Sequence, residues 1–86
     1  MPTISEFYGI YVQMYFDDKH VPHFHAIYGE HRALIDIATG KVLAGSLPPR
    51  AHKLVREWQR LHRAELAENW ERARRHENLK RVRGLE

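Results

Sequence analysis

The feature that most limits how this chain can fold is a change of hydrophobic period at Ser46. Before Ser46, apolar and polar residues tend to alternate, which is typical of half-buried β-strands. After it, apolar residues recur every three to five positions, which is typical of an amphipathic helix. Pro48 and Pro49 stand at the junction, and the first turn of a helix accepts proline because its N–H groups have no helical partner. The sequence therefore predicts strands followed by a helix.

Closely spaced strand candidates fill the part of the chain before the junction. They are rich in β-branched and aromatic residues and cover Ile10–Phe16, His23–Tyr28, Ala33–Ala38 and Lys41–Gly45, with Ile4–Tyr8 as a further candidate for a short edge strand. Their connections are too short for helical crossovers, so consecutive strands must run antiparallel. We therefore expect an antiparallel meander of three to four strands.

The apolar residues after the junction predict one long amphipathic helix from about Pro49 to about Arg75. At 1.5 Å per residue it would be roughly 40 Å long, which is more than a small sheet can cover. Two solutions stay open. Either the helix bends near residues 62–64, or its far end, with Leu66 and Trp70, meets another chain, for example in a homodimer.

The predicted fold class is thus α+β, with the meander packed on one long C-terminal helix. A chain of 86 residues has enough apolar surface for one core. We expect residues 1–77 to form that single domain and residues 78–86 to form a basic, flexible C-terminal tail, because the tail is mostly polar.

Composition excludes several classes of site. The chain has no cysteine, so disulfides, thiolate metal sites and cysteine nucleophiles are excluded. No apolar run approaches the roughly 18 residues that a membrane span needs, and we expect a soluble, cytoplasmic protein. Lys and Arg number 14 against 11 Asp and Glu, which gives a net charge of +3 and permits an acidic partner such as nucleic acid.

Unusual chemistry is concentrated in residues 17–26, where three histidines and two aspartates occur. In an extended segment side chains alternate, so His23 and His25 share one face of their strand, about 7 Å apart along it. Pro22 fits the start of that strand because it cannot donate a ladder hydrogen bond. We therefore expect a loop that leads into a strand with two neighbouring imidazoles.

The register of the sheet can be estimated by sorting apolar residues onto one face. If Tyr28 pairs with Ala33, His25 lies opposite Asp36, and Tyr15 lies beside the histidines. The same face then carries the aliphatic residues Ile27, Leu34 and Leu43. A face that combines histidine, aspartate and tyrosine side chains with exposed aliphatic residues is typical of a binding surface.

Three interpretations of the histidine face are open. In the first, His23 and His25 act as general base and general acid on a phosphodiester, and Asp36 orients His25. In the second, the two histidines hold a metal such as Zn²⁺, with a third ligand from His20, Asp17, Asp18, His31 or Asp36. In the third, His25 pairs with Asp36 as a structural contact and His23 is solvated. The residues alone do not decide whether the protein is an enzyme.

The predicted helix carries a basic band made of Lys53, Arg56, Arg60 and Arg63, and a denser basic cluster follows at its end. Such a band is a candidate footprint for RNA. The alternative is an ordinary solvated face. Glu68 with Arg72 and Glu71 with Arg75 are i,i+4 pairs of the kind that support exposed helices.

Several motifs together make the chain resemble a bacterial family catalogued as domain of unknown function 4160. They are Met1-Pro2-x-Ile4, Gly9-Ile10, Met14-Tyr15, Pro22-His23-Phe24-His25-Ala26, Ile35-Asp36-Ile37, Leu47-Pro48, Glu57-Trp58, His62, Glu65-Leu66 and Trp70. The Pro-His-Phe-His-Ala run is the most specific of them. The resemblance implies a small single-domain protein of toxin–antitoxin type, with a cognate small protein encoded nearby as its partner.

The resemblance directs attention to His23, His25 and Asp36 on the sheet and to three positions of the helix, Trp58, His62 and Trp70. The chain departs from the family pattern just upstream, where members usually have Asp-His followed by two prolines. Here Lys19 takes the usual histidine position, His20 follows it, and Val21 replaces the first proline. A metal ligand at the family's upstream histidine would have to be replaced by His20 from a shifted position.

Overall fold

The computed structural model describes residues 3–16 and 21–85. The strands are β1 (Thr3–Phe7), β2 (Ile10–Gln13), β3 (His23–Tyr28), β4 (His31–Asp36) and β5 (Val42–Gly45), and the helices are α1 (Pro49–Leu61) and α2 (Arg63–Arg74). The strands form one antiparallel sheet in the order β1-β2-β3-β4-β5. The predicted α+β class and the meander are therefore confirmed.

The sheet has five strands rather than three to four, because the N-terminal edge candidate is a strand. β1 and β2 are joined by Tyr8 and Gly9, whose φ angles are 49° and 80°. Positive φ at both central residues is the mark of the type I′ hairpin turn, whose twist matches that of the flanking strands. This tight turn is what pairs β1 with β2.

The prediction of one long helix is wrong, and the bend offered as one of its two solutions is present. α1 ends at Leu61 and α2 begins at Arg63, with His62 between them at a φ of −118°. The Nδ1 atom of His62 donates to Glu65 Oε1 at 2.6 Å. The bend lets the second half of the apolar stripe stay within the domain, because Leu66 and Trp70 are 0% and 6% exposed.

α1 packs on the face of the sheet that the sequence predicted to be the core. Trp58 is fully buried, and its ring centroid lies 5.4 Å from that of Phe7 and 5.6 Å from that of Phe24. The strand residues Val12, Phe24, Ala26, Ala33 and Ile35 are all buried on this face. The alternation of the strands therefore identified the core face correctly.

The C-terminal segment, for which the sequence predicts a flexible tail, has defined contacts that the prediction did not foresee. The Val82 N–H donates to the Ile4 carbonyl at 2.7 Å, and Trp58 Nε1–H donates to the Arg83 carbonyl at 2.8 Å. Asn69 donates to the Lys80 carbonyl and accepts from its N–H, both at 2.9 Å. This segment therefore runs along the outer edge of β1 and shields backbone groups that an edge strand would expose.

No helix in the described part of the chain has the length and apolar character required to cross a membrane.

Candidate functional site

The histidine cluster, made of Tyr15, His23, His25 and Trp70, lies where β3 begins. His23 is 1% exposed, and its Nδ1–H donates to the Val21 carbonyl at 2.8 Å. Its ring centroid lies 5.2 Å from that of Trp70 on α2. Because a carbonyl only accepts, the Nδ1 atom carries the proton in this hydrogen bond.

His25 is the more accessible of the two histidines, with 9% of its surface exposed. Its ring stacks on Tyr15 with centroids 4.7 Å apart and an interplanar angle of 18°, and it lies 5.4 Å from the His23 ring. The structure thus brings together Tyr15, His23 and His25, as the pattern of the strands predicted. The solvated His23 of the structural interpretation does not occur.

The predicted partnership between His25 and Asp36 is wrong, because the register differs by two residues. β3 and β4 pair Tyr28 with His31, so that Leu34 lies opposite His25 and Asp36 lies opposite His23. The carboxylate of Asp36 instead accepts from the N–H of Ala38 at 2.7 Å and of Thr39 at 3.1 Å. Asp36 therefore stabilises the turn between β4 and β5, a role that aspartate often has in turns.

The metal interpretation depends on residues that lie partly outside the described ranges. His20, Asp17 and Asp18, which supply three of the candidate third ligands, are among the residues not described. His31 lies opposite Tyr28, at the other end of β3 from His23. Residues 3–16 and 21–85 place no group of three or more His, Asp or Glu side chains where it could hold a metal ion.

A second candidate site is a groove along α1, which we call the basic groove and define by Lys53, Arg56, Arg60 and Arg63. The first three lie on α1 and Arg63 is the first residue of α2, and the groove that they line has a volume of about 450 Å³. All four side chains are exposed. Among the described residues, none of them forms an ion pair with a carboxylate.

Three basic residues further along the chain differ, because acidic side chains neutralise Arg72 and Arg74 of α2 and Lys80 after it. Arg72 and Lys80 both bind Glu68, at 3.2 and 3.1 Å, and Arg74 binds Glu71 at 2.7 Å. Hydrogen bonds from Lys80 and Arg72 hold the pKa of Glu68 below its ordinary value. The solvated-face interpretation therefore describes the later part of α2, whereas the cations of the basic groove have no ion-pair partner among the described residues.

The residues predicted to bind a protein partner fall into two groups. Ile27 and Leu34 are half-buried on the sheet, and Leu43 is 43% exposed at a β-bulge, which makes Ala44 the neighbour of Leu34. Leu66 and Trp70 pack inside the domain, as described above. Because these last two side chains are buried within the domain, they are not available for a contact with another chain.

One feature of the surface was missed at the level of sequence. A depression of about 510 Å³, which we call the tyrosine pocket, is lined by Tyr8, Tyr28, Arg50, Ala51 and Leu54. The available signal was the Tyr8-Gly9 pair between two alternating segments, which marks a hairpin turn. That turn places Tyr8 near the start of α1, at the end of the sheet opposite the histidine cluster.

Comparison with known proteins gives one match. A model of the family described as "Domain of unknown function (DUF4160)" matches residues 9–71, which is most of the chain. No curated protein and no solved structure matches. The chain belongs to the DUF4160 family, and the resemblance found in the sequence is confirmed.

Proposed function

We propose that this DUF4160 protein is a small RNA-binding protein of toxin–antitoxin type, which contacts RNA phosphates through the basic groove and works with a protein partner. The main support for RNA binding is that no carboxylate of the described chain forms an ion pair with Lys53, Arg56, Arg60 or Arg63. Four cations that form no ion pair within the described chain outnumber the single carboxylate of the groove, Glu57, and attract an anionic ligand such as the phosphate chain of RNA.

The shape of the groove supports the same ligand. The rest of the lining supplies hydroxyl, imidazole and amide donors and one carboxylate, from Thr39, His52, Gln59 and Glu57. Gln59 is held in place by donating to the Ile37 carbonyl at 2.6 Å, which ties α1 to the turn after β4. Arginine side chains on a fixed helix suit phosphate groups because the guanidinium presents paired N–H donors.

The test is a titration of the protein against a fluorescein-labelled single-stranded RNA of about 12 nucleotides, read by fluorescence anisotropy. We expect binding that weakens steeply as the salt rises from about 50 to about 200 mM. The double variant Arg56→Gln/Arg60→Gln should bind at least roughly tenfold more weakly, and its salt slope should fall by about 0.7 for each phosphate contact removed.

The matched control is Arg72→Gln/Arg74→Gln, which removes the same charge from α2. Since these arginines are neutralised by Glu68 and Glu71, the control should keep nearly the wild-type affinity. Equal losses in the two double variants would mean that net charge alone drives binding and would refute the basic groove as the site.

The protein partner is supported by the family resemblance and by the aliphatic residues Ile27, Leu34 and Leu43 on the sheet. The test is co-purification with the product of the neighbouring gene. Leu34→Glu should abolish recovery of that product while leaving the circular dichroism spectrum of the domain unchanged. Leu61→Glu, at an exposed apolar residue of α1, is the control that should not affect recovery.

A second proposal is that His23 and His25 cleave RNA without a metal ion. It is supported by the adjacency of the two rings, 5.4 Å apart, and by the stack of Tyr15 on His25. Because His23 is almost fully enclosed, His25 is the ring that would meet a substrate. Retention of RNA cleavage in His25→Ala would refute this proposal, and His76→Ala, at an exposed histidine, is the control.

A further inference from the structure

The tyrosine pocket is not used by the function proposed above. Its two aromatic residues are exposed, Tyr8 at 58% and Tyr28 at 38%. An exposed aromatic pair gives little to the core, so stability of the fold does not account for it. Two aromatic rings beside an arginine form the kind of surface on which nucleic-acid bases stack.

The backbone of Tyr8 gives a second reason to regard the pocket as a binding site. Its φ of 49° is uncommon for a residue other than glycine, and asparagine or glycine is the usual choice in a type I′ turn. The chain thus holds a tyrosine in an unfavourable conformation with its ring largely in solvent. Backbone strain retained without a packing benefit points to a functional role for the side chain.

Tyr28 is placed beside this turn by Gly9. A Cβ atom at Gly9 would lie 3.5 Å from Cε1 of Tyr28, so the glycine backbone forms the surface against which that ring rests. Tyr28 also pairs with Ile10, the first residue of β2. The two tyrosines therefore reach the pocket from adjacent strand ends and form a rigid aromatic wall.

Positively charged side chains extend from the basic groove to the tyrosine pocket. Arg50 lines the pocket and Lys53 lines the groove, and residues three apart on a helix are neighbours. A flexible phosphate chain that lies on the groove can therefore reach Arg50 and bring its next base to the tyrosines. A duplex offers no free base faces for this purpose, because its bases are stacked on one another.

We propose that the tyrosine pocket binds one or two unpaired bases of a single-stranded RNA whose phosphates lie on the basic groove. This inference rests on the proposed function and gives it a substrate class. Tyr8 and Tyr28 supply stacking surfaces, and Arg50 contacts the adjoining phosphate.

The decisive variant is Tyr8→Asn. Asparagine suits the positive φ of the turn, so the variant should melt at the same temperature as the wild type or higher. It should nevertheless bind the single-stranded RNA probe about tenfold more weakly, because a stacking surface is lost. Tyr8→Phe keeps the ring and should bind within about twofold of wild type. Unchanged affinity in Tyr8→Asn would overturn the inference.

An abasic probe of the same length and charge separates stacking from phosphate contact. The wild type should bind this probe about tenfold more weakly than the base-containing RNA, and Tyr8→Asn should bind the two alike. If the wild type bound both equally and Arg56→Gln/Arg60→Gln still weakened binding, the basic groove would stand and the tyrosine pocket would be refuted. If neither probe bound, the proposed function would fail first and this inference with it.

Discussion

The two helices have similar lengths but differ in how their charges are used. α1 carries Lys53, Arg56 and Arg60 with no carboxylate partner among the described residues, whereas Arg72 and Arg74 of α2 are paired with Glu68 and Glu71. A helix whose charges are satisfied within the chain has little electrostatic reason to bind an ion. The difference therefore separates a surface available to a ligand from one that maintains the fold.

The helices differ in their packing as well. α1 lies over the centre of the sheet through Trp58, and α2 covers its end, where Trp70 contacts Phe16 and His23 at centroid distances of 5.4 and 5.2 Å. α2 also holds the C-terminal segment through Asn69. The first helix completes the core, and the second encloses the histidine cluster.

The largest expected effect comes from removing the two tryptophans in turn. Trp58→Ala should destabilise the domain by about 3–5 kcal/mol, because a fully buried ring leaves a cavity between Phe7 and Phe24. Trp70→Ala should cost about 2–3 kcal/mol, since a site at the sheet end relaxes more easily. Urea denaturation measures both values.

Domain stabilities are typically about 5–15 kcal/mol, so Trp58→Ala is expected to lie close to the unfolding threshold. Trp58→Phe is the milder variant, which keeps an aromatic ring and loses the hydrogen bond to the Arg83 carbonyl and part of the buried ring volume. If Trp70→Ala proved the more harmful of the two alanine variants, α2 rather than α1 would be the main support of the core.

The next effect concerns the segment after α2. Asn69→Ala should destabilise the domain by about 2–3 kcal/mol, because it removes two hydrogen bonds between the buried Asn69 side chain and the N–H and carbonyl of Lys80. Amide exchange at Val82, which donates to Ile4, should then become much faster. Lys80→Ala is the control, since it removes an exposed side chain and its ion pair with Glu68 but keeps both backbone groups. Unchanged exchange in Asn69→Ala would mean that Asn69 does not hold the segment.

The sequence predicted the parts of this fold that depend on local periodicity. The bounds of β3, the core face and the change to helix at Pro49 all follow from which side chains prefer burial. The register of β3 with β4 was wrong by two residues because a shift of two keeps every side chain on its face. Apolar sorting therefore cannot distinguish His25 opposite Asp36 from His25 opposite Leu34.

The break at His62 and the docking of the C-terminal segment depend on contacts distant in sequence. The helical period continues through His62 in the sequence, so no local pattern marks the break between the two helices. The contact between Val82 and Ile4 joins the two ends of the chain, and no local pattern encodes it. For the candidate sites, the cations of α1 were visible in the sequence, but their lack of carboxylate partners required the structure.

A smaller effect tests the charge difference through stability rather than binding. Arg56→Gln/Arg60→Gln removes a like-charge i,i+4 pair and should raise the melting temperature, by on the order of 1–3 °C. Arg72→Gln/Arg74→Gln removes attractive pairs and should lower it by a similar amount. Melting followed by circular dichroism at low salt measures both shifts. Shifts of the same sign would show that the two helices do not differ in internal charge pairing.

The smallest expected effect is a pH dependence of the melting temperature, which arises from Glu68 and Glu71 on α2 and from Glu77 shortly after it. Hydrogen bonds from Lys80 and Arg72 lower the pKa of Glu68, one from Arg74 lowers that of Glu71, and one from Arg75 lowers that of Glu77. A carboxylate with a lowered pKa in the folded state stabilises the fold fully above its ordinary pKa and loses that effect as the pH falls through the lowered value. The melting temperature should therefore decline on acidification through this range.

The decline should be weaker in Glu68→Gln/Glu71→Gln, which removes two of the three titrating groups without changing side-chain size. It should also be weaker for the wild type at about 1 M salt, because screening reduces the interaction of exposed charges. If the double variant kept the full wild-type decline, these ion pairs would not contribute to stability. The paired state of the α2 arginines would then be no evidence that they are unavailable to RNA, and the contrast with the basic groove would rest on the binding experiment alone.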